Sequence, residues 1–170
     1  MPRSCPSRNS LLTCAKKSGR RTLVVSREHG GWVILLDTTV LVYAVGADHP
    51  LAEPARDIIR QIQRGSLRAH TTPEVIQEFA HVRAKYRDRT DATEVASAYA
   101  TLLAPLVPVM SHHLAAGLDL WKQHEKIGAF DSVLAAVARA HDAELISADR
   151  AFADVPLLRW RDLNSFTPPG

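Results

Sequence analysis

Val33-Ile34-Leu35-Leu36 is an unbroken apolar run that stops at Asp37. Such a run, bounded by a polar residue, reads as a buried central strand of a parallel sheet. Val40, Leu41, Tyr43 and Ala44 then recur at helical spacing. Pro50 opens a second helix, in which Ala52, Ala55, Ile58, Ile59 and Ile62 make one apolar stripe, and Gly65 stops it as a left-handed cap. Leu67 to Thr71 is a short strand. Thr72-Pro73 is a helix start, with threonine as N-cap and proline at the first helical position. Val75, Ile76, Phe79, Val82 and Tyr86 form the expected buried face of that helix.

Thr90 or Asp91 caps a further helix to about Ala104, and Pro105 and Pro108 bracket a short strand, Leu106 to Met110. A helix runs from Ser111 to about Lys126, and Gly128 separates it from another, about Ala129 to His141. Glu144 to Ser147 and Pro156 to Trp160 complete the strands. Alternation of strands and helices predicts an α/β sandwich, helices on both sides of a mostly parallel sheet.

At 170 residues the chain has the length of one domain. No apolar run approaches the roughly 20 residues that span a bilayer, and no signal-peptide core is present, so a cytoplasmic, membrane-free location is expected. Cys5 and Cys14 are the only cysteines, which excludes a disulfide-stapled secreted fold. The formal charge of +3 is unevenly spread. Residues 1–32 carry seven basic residues and one acid, net +6, whereas 33–170 carry 14 basic and 17 acidic residues, net −3. The basic character belongs to the N-terminal stretch, read as a disordered extension or an early start, with the folded domain expected over 33–170.

Four acids fall where α/β sheets place their chemistry. Asp37 ends the first strand and Asp149 follows the strand Glu144–Ser147, both at carboxyl ends of strands. Asp131 sits in the first turn of its helix, and Glu78 lies at the rim of the apolar face begun by Val75. Taken singly, Asp37 could cap a helix, Asp131 could answer a helix dipole, Asp149 could be a turn residue and Glu78 a solvated helix acid. The ordered set of four is the distinguishing feature.

That set carries a resemblance. Ile34-Leu35-Leu36-Asp37-Thr38-Thr39-Val40-Leu41 resembles the opening of a PIN-domain nuclease. Thr72 to Phe79, with Glu78, is similar to its second acidic segment, Ala129 to Ala138, with Asp131, to its third, and Leu145 to Phe152, with Asp149, to its fourth. The resemblance spans about residues 33–163, and the short length resembles VapC-type toxins of toxin–antitoxin pairs. It implies a PIN-like α/β/α sandwich, a Mg²⁺-dependent endoribonuclease with Mn²⁺ as a substitute, an RNA substrate, a small antitoxin as partner and a homodimer.

The chemistry stands beside the resemblance. Clustered carboxylates repel and need a counter-charge. Mg²⁺ prefers oxygen ligands and retains waters, and such an ion polarises a phosphodiester and activates water. Asp37 and Asp131 are assigned as direct ligands, Asp149 as a ligand directly or through water, and Glu78 as holding a water or a second ion. The hydroxyls of Thr39 and Ser147 are placed to orient a carboxylate or a phosphate. Arg83, Lys85 and Arg87 follow Glu78 on its helix and are candidates for RNA phosphates. Tyr86 could stack on a base, but its position on the apolar stripe favours core packing. The histidines lack zinc-site spacing.

The competing reading is a non-cleaving PIN-like module that serves as the antitoxin's partner in an operator-binding complex. A haloacid-dehalogenase-type phosphatase needs an aspartate two residues after Asp37, where Thr39 stands. A dinucleotide-binding fold lacks its glycine fingerprint.

Overall fold

A computed structural model describes residues 34–167. The N-terminal extension and Val33 lie outside the described residues. Four parallel strands form one sheet: β1 (Ile34–Leu36), β2 (Ala69–His70), β3 (Glu144–Ser147) and β4 (Arg159–Asp162), in the order β2-β1-β3-β4. Six α-helices accompany them: α1 (Thr38–Val45), α2 (Ala52–Gln63), α3 (Pro73–Tyr86), α4 (Arg89–Leu102), α5 (Ser111–Gln123) and α6 (Ala129–Ala140). None of the described helices is long and apolar enough to cross a membrane.

The central strands are apolar because both faces are covered. All of β1 is buried, and so are Leu145, Ile146 and Ser147 of β3. The chain leaves β1 toward β2 on one side and returns through β3 on the other. The carboxyl ends of β1 and β3 therefore flank a topological switch point, where open α/β sheets form a crevice. Asp37 follows β1 and Asp149 stands two residues after β3.

Local rules account for most of the helices. The five predicted stripe residues of α2, from Ala52 to Ile62, are all buried. Gly65 adopts φ +73 after that helix, a conformation that glycine accepts at little cost. Thr72 caps α3 through its side chain, which accepts from the Val75 N–H, with Pro73 next.

Four expectations are corrected. Asp88, not Thr90 or Asp91, caps α4, accepting from the Asp91 N–H at 2.8 Å. Asp91 is instead engaged by Arg83. The segment Leu106–Met110 is not a strand. The Val107 N–H donates to the Thr71 carbonyl at 2.8 Å, but Pro105 and Pro108 have no N–H with which to extend a ladder. The last strand lies at Arg159–Asp162, later than Pro156–Trp160, because its register is set by pairing of Glu144 to Ser147 with Arg159 to Asp162. Tyr86 is 81% exposed and belongs to no core, since α3 ends there beyond the reach of α4 packing on Phe79.

Candidate active site

The acidic residues gather at the switch point through hydroxyls at the strand ends. Asp37 is buried at the start of α1. Its Oδ2 accepts from Ser147 Oγ at 2.6 Å and from Thr39 Oγ1 at 2.7 Å. The Thr39 N–H points to the same oxygen at 3.4 Å, a long helix-cap contact. Thr39 Oγ1 in turn accepts from the Ala148 N–H, and Ser147 Oγ from the Asp149 N–H at 2.9 Å. Two hydroxyls thus lace the end of β1 to the loop after β3. Burial pushes the Asp37 carboxyl above its ordinary range, and the hydrogen bonds from Ser147, Thr39 and the backbone partly oppose this.

Glu78 reaches the same locality from α3. Its Oε2 accepts from Thr38 Oγ1 at 2.6 Å. Asp131 is at the third position of α6, where its carboxyl takes the backbone N–H of Gly128, the N-cap. A Cβ on Gly128 would lie 2.6 Å from Asp131 Oδ2, so only glycine leaves room for this carboxylate. The Asp131 carboxyl is pushed up to about 6, first by burial and then by the negative charges of Asp37, Glu78 and Asp149. Asp149 spends one oxygen on the Ala151 N–H at 2.8 Å, capping the short 3₁₀ turn Arg150–Asp154.

A cleft of about 380 Å³ opens onto the cluster, with Asp37, Glu78 and Asp131 in its wall. The rest of its wall is polar at Thr72, Glu74 and Ser111 and apolar at Val75 of α3, at Val109 and Met110, at Leu114 of α5 and at Phe130 of α6; Glu74 is a further acid that sequence reasoning did not single out. The Pro108–Met110 segment is held by His113, which is buried and accepts from the Met110 N–H through Nδ1.

Among the described residues no three His, Cys, Asp or Glu side chains come together closely enough to hold a metal ion as they stand. The acidic donors in the cleft wall, Asp37, Glu78 and Asp131, offer carboxylate oxygens, and a hard ion that keeps several waters suits such donors.

The PIN domain family matches residues 34–158, most of the chain and a span that contains the four acids. The chain belongs to the PIN-domain family. This PIN domain is 46% identical over 128 residues to Ribonuclease VapC7 of Mycobacterium tuberculosis, covering 72% of this chain and 86% of that protein. It is 27% identical over 125 residues to Ribonuclease VapC13 of the same species, covering 73% and 95%. Among solved structures it resembles Mycobacterium tuberculosis VapC20, described as a sarcin–ricin-loop-cleaving toxin, at TM-score 0.62 and 13% identity over 74% of this chain and 97% of that one. It also resembles VapBC2 from Rickettsia felis, crystallised with promoter DNA, at TM-score 0.60 and 16% identity over 76% and 98%. The structural likenesses establish that the PIN fold is shared.

The three candidate cations of this PIN domain do not share one fate. Arg83 makes a two-pronged pair with Asp91, with Nη2 2.9 Å from Oδ1, which holds the Asp91 carboxyl below its usual range. Arg83 therefore braces α3 against α4. Lys85 and Arg87 are exposed, and neither closes a salt bridge among the described residues. Thr38 escaped sequence reasoning. Its only signal was adjacency to Asp37 and Thr39, and its bond to Glu78 spans 40 residues of sequence.

Proposed function

We propose that this chain is a divalent-metal-dependent endoribonuclease, the toxin of a VapBC-type toxin–antitoxin pair. The observation that carries the reading is that Asp37, Glu78 and Asp131 share the wall of one cleft, with Asp149 near enough that its charge adds to theirs on Asp131. Such repulsion is tolerated where a cation resolves it. The ribonuclease names of the relatives at 46% and 27% identity support the same reaction class.

Asp37, Asp131 and Asp149 would hold Mg²⁺ or Mn²⁺, with Glu78 fixing a water or a second ion. When bound, the ion would polarise the phosphodiester and make water a competent nucleophile at neutral pH. The chain's own part is positioning. Ser147 and Thr39 fix one Asp37 oxygen and leave the other for ligation, and Thr38 orients Glu78. The Gly128 N–H steadies Asp131.

The antitoxin partner is supported by the VapBC and FitAB complexes among the structural neighbours. An apolar groove of about 740 Å³ between α2 and α4, with Ile59, Val95 and Leu102 in its walls, offers an antitoxin helix a seat. A homodimer is supported by Met110, Leu114, Leu118 and Trp121, which stand exposed at helical spacing along α5 beside Phe130. Leu118→Glu is expected to give a monomer by light scattering.

The DNA-bound neighbours favour, as a second reading, a non-cleaving partner in an operator complex. A binding module has no use for converging carboxylates. Cleavage of end-labelled RNA with Mg²⁺ or Mn²⁺, and its abolition by EDTA, tests the choice. Absence of cleavage with every divalent ion, together with operator binding by the antitoxin complex, would favour the second reading.

A further inference from the structure

Glu78, Val82 and Tyr86 occupy one i, i+4, i+8 ridge of α3. Thr38 and Val42 make the facing ridge of α1, which continues to Val45. The seam between the two helices starts at the Thr38–Glu78 bond. It ends in an open cleft of about 430 Å³, with Val42, Val45, Val82 and Tyr86 in its walls. Tyr86 is 81% exposed at that end. At 1.5 Å per residue, the ridge carries it about 12 Å from Glu78.

Tyr86 stands exposed between two exposed cations, Lys85 and Arg87, neither of which closes a salt bridge among the described residues, although the charge of Arg87 acts on Asp91. The neighbouring Arg83 shows the alternative, being committed to Asp91. Aromatic faces stack on any base, and adjacent cations hold the phosphates on either side. A strand entering the acidic crevice would pass two to four nucleotides over that distance, at about 3.4 Å per stacked nucleotide and more when extended.

We propose that Tyr86 is a stacking platform for a base of single-stranded RNA flanking the cleavage site, with Lys85 and Arg87 holding the adjoining phosphates. The α1–α3 seam is then the track that joins the platform to the acids. This inference rests on the nuclease reading above. It adds a subsite that selects unpaired RNA, because a base held in a duplex cannot present its face to Tyr86.

The test uses the full chain with Asp37→Asn, kept in EDTA so that the RNA stays intact, and a short single-stranded RNA with 2-aminopurine placed at successive positions. One position should be quenched on binding. Tyr86→Ala should weaken binding about tenfold and abolish that quench, since truncating the aromatic under one stacked base costs about that much. Tyr86→Phe, which keeps the π-face, should retain both. The melting temperature should not move, because the side chain is exposed. With Asp37 intact, Tyr86→Ala should raise KM and leave kcat nearly unchanged.

Equal RNA affinity and quench in Tyr86→Ala would overturn the platform. So would unchanged RNA binding combined with weakened antitoxin binding, which would assign this face to the protein partner. Failure of the nuclease reading looks different: the unmutated chain would then cleave no RNA with any divalent ion.

Discussion

Ser147 Oγ donates to Asp37 Oδ2 at 2.6 Å and accepts from the Asp149 N–H at 2.9 Å. One buried hydroxyl thus joins the residue that ends β1 to the residue that follows β3. The bond fixes the spacing of two acids that would otherwise repel. It also orients Asp37 so that Oδ2 is used inside the protein.

Ser147→Ala should therefore cost more than a surface serine. Removing a hydrogen bond to a buried, charged acceptor costs about 1–3 kcal/mol. Chemical denaturation should show that loss, and calorimetric titration with Mn²⁺ should show weaker binding. Thr39→Val should add less than its separate cost, because both hydroxyls serve the same oxygen.

Gly128→Ala tests the seat of Asp131. The added Cβ meets Asp131 Oδ2 at 2.6 Å and must turn the carboxylate away. The backbone at Gly128, φ −68 and ψ 157, suits alanine, so stability should change by about 1 kcal/mol or less. Mn²⁺ affinity should fall much further than stability does. Equal metal affinity in this variant would exclude Asp131 from the ligand set.

Metal-free stability should carry the signature of Asp131 in its pH dependence. Its carboxyl titrates near 6 in the fold and near 3.8 when unfolded. The folded chain holds the extra proton in that window, so this contribution is present below about pH 4 and is lost as pH rises through about 6. His113 and His141 are pushed the other way by burial, and their contribution grows as pH rises toward 6.5. The difference between the unmutated chain and Asp131→Asn isolates the carboxyl. In urea melts from pH 4.5 to 7, Asp131→Asn should gain on the parent as pH rises, and a saturating divalent ion should reverse the order.

Much of this fold is readable from local chemistry. The Ile58, Ile59 and Ile62 stripe, the Thr72-Pro73 start and the apolar run ending at Asp37 are short-range signals, and the structure realises each. The placement of Asp37, Asp131 and Asp149 was also legible, because strand ends and first helical turns are visible in sequence, whereas Glu78 lies within α3 and only its position at the rim of the apolar face marked it. What escaped depends on tertiary placement. Thr38 meets Glu78 only because β1 and β2 are neighbours and their helices leave the same edge. Tyr86 fits the apolar period of α3, yet the helix outruns the surface it packs on. The Leu106–Met110 segment has strand-like composition, but its prolines deny it a ladder.

Asp37→Asn is the most direct test of a metal site built on these carboxylates. Asparagine is an equally good helix cap, so the 3.4 Å contact to the Thr39 N–H is spared while a charge and a ligand are removed. Thermal melts with and without Mn²⁺, run beside RNA cleavage, give the readout. The expected result is metal-free stability unchanged or raised by about 1 kcal/mol, a much smaller metal-induced rise in melting temperature, and cleavage lower by orders of magnitude. A normal metal-induced rise with cleavage intact would contradict the assignment of Asp37, and with it the site.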